Sequence, residues 1–251
     1  MNWLTSPEVW SGLITLTALE IVLGVDNIVF ISILSGKLPV EQQERARRTG
    51  LILALIPRLL LLGFIGLLVQ LTAPLVSIPG VMIEGKPLRL SGKDLVLILG
   101  GLFLLYKSVH EIHQKLEGEE GRISARVMPS FRAIMGQILL INVIFSLDSV
   151  ITAVGMSRLI GVMVAAVLLS TLVMIWFARP IGEFVERHPT VKMLALAFLI
   201  LIGTNLIVEG IHFHIPKGYT YFAMAFAVCV EMLNLRVRQK SEPVRLHREV
   251  A

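Results

Sequence analysis

The chain has 251 residues, of which 55% are hydrophobic and only 16% charged, against roughly 25% charged in soluble domains. That composition excludes a water-soluble globular protein and points to an integral membrane protein. The net charge of +5 does not call for a nucleic-acid partner, because the basic residues sit between apolar runs, where membrane orientation accounts for them.

Apolar runs that meet the need for about 20 residues per membrane crossing occur at 9–35, 49–71, 95–113, 134–156, 159–184, 191–211 and 219–235. Residues 1–10 lack a basic n-region, so no cleavable signal peptide is expected. Between the second and third runs, Ile83, Leu88 and Leu90 flank a Glu84-Gly85-Lys86-Pro87 turn, the pattern of an extended hairpin outside the bilayer. Residues 117–130 read as a polar loop. The single cysteine, Cys229, rules out an intramolecular disulfide. The expected fold is an all-α polytopic membrane protein, with a seven-helix membrane domain over 1–236 and a basic cytoplasmic tail over 237–251.

Orientation follows from the basic residues. With the N-terminus outside, seventeen of the 23 Lys and Arg fall on the cytoplasmic side, five fall outside, and Arg58 lies within the second run. The positive-inside rule then places the C-terminus in the cytoplasm.

Residues 19–35, LEIVLGVDNIVFISILS, align without a gap on residues 141–157, INVIFSLDSVITAVGMS. At this offset Asp26 falls on Asp148, Glu20 on Asn142, Gly24 on Ser146 and Asn27 on Ser149. The first and fourth helices cross in opposite directions, so repeat 1 (about 9–113) and repeat 2 (about 134–211) are expected to be inverted copies. The helix at 219–235 is then an addition. Residues 104–113 and 202–212 echo each other more weakly. Inverted repeats place their sites near the midplane, on helices that are often interrupted.

A carboxylate in an apolar span costs roughly 2.5–3.5 kcal/mol on insertion scales, which makes such residues functional by default. Glu20 and Asp26 are six residues apart, about 120° round an ideal helix, so loosening at Gly24, and at Ser146 in the echo, is expected to bring the groups together. Glu20 and Asp148 fall slightly outward of the centre, Asp26 and Asn142 slightly inward. Three carboxylates, the Asn142 amide and the hydroxyls of Ser146, Ser149 and Thr152 form an oxygen-rich cage for a hard divalent cation such as Mg²⁺, Ca²⁺ or Mn²⁺. The competing reading is polar glue between helices, with Arg58 as counter-ion. Lys107, His110 and Glu111 read as interfacial or exit-path residues, and His212 and His214 as a solvated outer loop.

At EIVLGVDN (20–27) and NVIFSLDS (142–149), and along most of its length, the chain resembles the TerC family of integral membrane proteins, within the LysE transporter superfamily. The resemblance implies manganese export across the bacterial inner membrane. It also implies a metal site carried over to Glu20, Asp26, Asn27, Asn142 and Asp148, with the divalent cation as cargo and no resident cofactor. Some relatives append cytoplasmic CBS-type domains, for which this sequence has no room. Two other classes compete: a stress-response scaffold without transport activity, and an intramembrane aspartyl enzyme. The second finds no further catalytic element here, so no enzymatic activity is expected.

Overall fold

The computed structural model describes residues 6–64, 70–83, 86–116, 129–156, 159–213 and 215–238. The chain divides into two compact units, Met1–Ile215 and Pro216–Ala251. In the first, helices α1 (Pro7–Ser35) and α2 (Val40–Gly63) precede strands β1 (Pro74–Ile83) and β2 (Lys86–Ser91). Helices α3 (Gly92–Leu116), α4 (Phe131–Met156), α5 (Ile160–Arg187) and α6 (Pro189–Gly210) follow. The second unit holds α7 (Lys217–Arg238), with Arg236 and Arg238 at its C-terminal end, where the helix dipole favours cations.

Among the described residues, six helices are long and apolar enough to cross a membrane: α1, α3, α4, α5, α6 and α7. The protein is therefore an all-α polytopic membrane protein. α2 is not one of the six. It begins nine residues before the expected second run, because the strong helix formers in VEQQERARR extend it into charged sequence. Residues 65–69 of that run lie outside the described residues.

The sequence explains most of the helix ends. Pro7 and Pro189 occupy first-turn positions of α1 and α6, where the missing N–H costs nothing. Ser91 and Asp94 close a reciprocal cap on α3. The Ser91 N–H donates to Asp94 Oδ2 at 2.8 Å, and the Asp94 N–H donates to Ser91 Oγ at 3.2 Å, which satisfies two orphan donors of the first turn. α6 ends at Gly210, and His212 adopts a left-handed φ of 66°.

β1 and β2 pair antiparallel, with Ile83 opposite Lys86 and Ile78 opposite Leu88. Lys86 and Pro87 thus belong to the ladder and not to the expected turn. Glu84 and Gly85 lie outside the described residues, as do the 117–128 part of the expected loop and the 239–251 part of the expected tail.

Packing separates the first unit into two groups. α1, α2, α4 and α5 pack on one another, and α3 packs chiefly on α6. The α3–α6 seam is backbone on backbone. A Cβ on Gly101 would meet Gly203 O at 2.5 Å, one on Gly203 would meet Gly101 O at 2.9 Å, and one on Gly210 would meet Asp94 O at 2.9 Å. Lys93 and Glu209 pair across the same two helices at 3.2 Å.

The four-helix group contributes to two apolar clusters, the first of which continues onto α3 through Leu97 and Leu104 and onto α6 through Leu196 and Leu199. One gathers Ile28, Ile31 and Leu34 of α1, Leu51 of α2, Ile138 and Ile144 of α4, and Met174 and Ala178 of α5. The other gathers Leu16, Leu62, Leu147, Val150, Val162 and Val167 from the same four helices.

Candidate functional site

Between the two clusters, each of the four helices carries buried polar side chains. On α1 they fall between Leu16 and Ile28, at Glu20 and Asn27; on α2 between Leu51 and Leu62, at Arg58. On α4 Ser146 falls between Ile144 and Leu147, and on α5 Ser170 and Thr171 fall between Val167 and Met174. Removing polar groups from water in an apolar interior is costly unless partners are provided, so the layer needs an internal account.

Part of that account is local. Ser170 Oγ and Thr171 Oγ1 both donate to Val167 O, at 3.0 and 2.8 Å. Ser146 Oγ donates to Asn142 O, and Ser149 Oγ to Ser146 O at 3.3 Å. These back-bonds within a turn let a helix carry hydroxyls through an apolar region. Asn142 Nδ2 donates to Ile138 O at 2.8 Å. Its Oδ1 is buried with no hydrogen-bond partner among the described residues, leaving a free acceptor inside the four-helix group.

The charged part of the layer is Glu20 with Arg58. Arg58 Nη1 donates to Glu20 Oε2 at 2.8 Å, and the side chains are 3% and 2% exposed. Separating such a pair leaves a buried charge unmatched, at a cost of about 3–5 kcal/mol. Arg58, expected as a counter-ion, is paired in this way, and its partner is Glu20.

Glu20, Gly24 and Asn27 lie on one stripe of α1, and their partners at the 122-residue offset, Asn142, Ser146 and Ser149, lie on one stripe of α4. All six are buried. Asp26 falls off the stripe and is half-buried, as the ideal helical angle requires. The Asp148 backbone continues α4, while its side chain and that of Thr152 lie outside the described residues.

One expectation is corrected here. α1 runs unbroken through Gly24, and α4 through Ser146. The absent side chain at Gly24 gives room for the thioether of Met174 on α5, which occupies the place a Cβ would take. Gly24 thus serves close packing of α1 on α5 and does not loosen the helix. Among the described residues, no three His, Cys, Asp or Glu side chains gather as a metal-holding group. Glu20 and Asn27 share a face, and Asp26 lies about 120° round α1 from Glu20, at the half-buried edge of that face.

Other charged residues pair in ways that spacing along the chain does not announce. Lys37, just past α1, pairs with the buried Glu111 of α3. Arg47 of α2 lies across Gly182 of α5 and pairs with Glu186 at 3.2 Å. The readable signal for Glu111 was its place on the stripe Leu97, Gly101, Leu104 and Ser108, all of them buried. His212 is exposed in the turn after α6, as expected, and its Nε2 lies 2.8 Å from Asp94 Oδ2, so it also ties the end of α6 to the cap of α3. His214 lies outside the described residues.

Membrane helices enclosing a buried carboxylate–guanidinium pair and an unsatisfied amide oxygen define a polytopic integral membrane protein with a polar interior. The family model for "Integral membrane protein TerC family" matches residues 5–244. The chain belongs to the TerC family. It is 52% identical over 242 residues to UPF0053 inner membrane protein YgdQ of Escherichia coli, covering 96% of this chain and 98% of that one. A UPF0053 protein of Haemophilus influenzae is 48% identical over 239 residues, covering 95% and 98%. UPF0053 inner membrane protein YoaE of Escherichia coli is 45% identical over 240 residues, covering 95% of this chain and 45% of that longer protein. No solved structure matches the chain.

Proposed function

We propose that this protein is a divalent-cation transporter of the bacterial inner membrane that exports manganese from the cytoplasm, with protons as the exchanged ion. The observation that carries this reading is the polar layer closed between two apolar clusters. A protein that only needed stability would fill that layer with apolar side chains at lower cost. Glu20, Asp26, Asn27, Asn142 and Asp148 are the proposed ligands, all oxygen donors suited to a hard cation. The choice of manganese among hard cations rests on the family resemblance. The inner-membrane placement rests on the relatives' names, YgdQ and YoaE.

The packing supports an inverted 3+3 repeat of α1–α3 and α4–α6, and the proposed seven spans add α2 and α7 to the other five. Exchanging α1, α2 and α3 for α4, α5 and α6 carries the α1–α5 contact onto α4–α2, and the α1–α6 contact onto α4–α3; both contacts of each pair are present. An outside N-terminus and cytoplasmic C-terminus complete the reading. In a Cys229→Ser background, single cysteines at Asn2 and Ser241 should label from opposite faces of the membrane. Labelling from the same face defeats both the orientation and the repeat.

Flux tests the function directly. Vesicles containing only this protein should take up or release Mn²⁺ faster than protein-free vesicles, and Mg²⁺ and Ca²⁺ measured alongside define selectivity. Ligand carboxylates must be deprotonated to hold metal, so Mn²⁺ binding should weaken from about pH 8 to about pH 5. Binding that is flat over this range removes the basis for proton exchange.

One observation favours a second reading. The Glu20–Arg58 pair is what polar glue between α1 and α2 would provide, and a scaffold would need nothing more.

A further inference from the structure

We infer that Arg58 is a tethered stand-in for the transported cation: it neutralises Glu20 when the site is empty and is displaced when the divalent ion binds. This rests on the transport reading above and adds to it a role for a residue that is not itself a ligand.

The geometry of the pair carries the inference. An arginine that braces two helices uses its fork, commonly with two parallel hydrogen bonds to one carboxylate. Among the described residues Arg58 makes one to Glu20, from Nη1 to Oε2. Its Nε is buried and has no hydrogen-bond partner among the described residues. The guanidinium thus meets Glu20 through one terminal nitrogen, with its Nε donor unused, and not as a fork. Such a partner is easily exchanged for a better cation.

The location fits the same role. Arg58 follows Pro57 inside α2, and proline withdraws one backbone donor from the helix there. The pair sits at the level where both apolar clusters give way to polar residues. A buried carboxylate there is costly unless a metal ion, a proton or a neighbouring cation compensates it. With Arg58 available, release of the ion is followed by closure of the ion pair, which compensates Glu20 and leaves proton exchange to the other carboxylates.

Removing the stand-in should therefore separate two activities that a structural brace would affect together. In Arg58→Gln, Mn²⁺ should bind at least about tenfold more tightly, because a competing positive charge is gone. Net Mn²⁺ release from loaded vesicles should fall at least about tenfold, since the empty carrier returns slowly. Exchange of Mn²⁺ for isotopic Mn²⁺ across the membrane, which never visits the empty state, should persist. Loss of both activities in a protein that inserts normally, or loss of neither, would overturn the inference.

Should Arg58→Gln not insert, a second comparison decides, because removing both charges leaves no buried ion unmatched. Glu20→Gln alone leaves Arg58 as a buried cation beside the site, whereas Glu20→Gln with Arg58→Gln does not. The double variant should bind Mn²⁺ at least about tenfold more tightly than the single one; equal or weaker binding overturns the inference. A wild-type protein that neither binds nor exchanges any divalent ion would overturn the transport reading itself, and this inference with it. A wild type that transports while the two activities of Arg58→Gln move together overturns this inference alone.

Discussion

Asp26→Asn should abolish divalent-ion flux while the protein still folds and inserts, and Asp148→Asn should do the same. Each change keeps the side-chain volume and the ability to hydrogen-bond but removes one negative charge. A unit charge about 4 Å from a cation contributes about 4 kcal/mol at an effective dielectric constant of about 20. A loss of even ~3 kcal/mol corresponds to about a hundredfold in affinity. If the two residues only glue helices together, the amide can still bridge them. Such bonds average about 0.6 kcal/mol in membranes, and flux would be close to wild type. Paired measurements of Mn²⁺ flux and thermal stability in detergent separate the cases. Wild-type flux in either variant defeats the ligand role of that residue.

The second large effect is on the fold. Gly101→Ala places a methyl group 2.5 Å from Gly203 O and 2.7 Å from Ile207 Cγ1. A backbone oxygen cannot step aside as a flexible side chain can, so α3 and α6 must separate. Overpacking of this kind costs about 1–3 kcal/mol, and the upper end is expected here because the seam is met by backbone from both sides. The control is Gly136→Ala on α4, where a Cβ meets nothing within 4 Å. There, relief of glycine's backbone entropy is worth about 0.5–1 kcal/mol. Thermal unfolding in detergent should drop for the first variant and hold or rise for the second. Equal midpoints would show that the α3–α6 seam is not close-packed.

Much of this was readable from residue order alone. The spacing of Leu16, Glu20, Asn27 and Ile31, which is the repeat of a packed helical face, puts a carboxylate and an amide on the buried side of α1. The alignment of 19–35 on 141–157 then puts Asn142, Ser146 and Ser149 on the corresponding face of α4. The bend expected at Gly24 was not readable, because a glycine in a helix serves either a break or a close approach, and the choice is made by Met174 on another helix. The apolar run at 49–71 does not mark the start of α2 at Val40 for a related reason: apolarity marks where lipid lies, whereas helix propensity runs on through charged residues. The pairs Lys37–Glu111 and Arg47–Glu186 join residues 74 and 139 positions apart. No local pattern encodes such distances.

The seam between α3 and α6 bears on how such a molecule would move. Two helices in backbone contact, capped at one end by Ser91, Asp94 and His212 and pinned by Lys93–Glu209, behave as a single stiff spar. The other four helices share two apolar clusters, one of which continues onto the spar through Leu97, Leu104, Leu196 and Leu199. The contact between spar and four-helix block is still lighter than the contacts within either. Of the ion pairs described, Lys37–Glu111 is the one that crosses it. A cycle that opens the layer around Glu20 first to one side and then to the other would have to unfasten that latch, so its strength would set the tempo of the stroke independently of how tightly the ion is held.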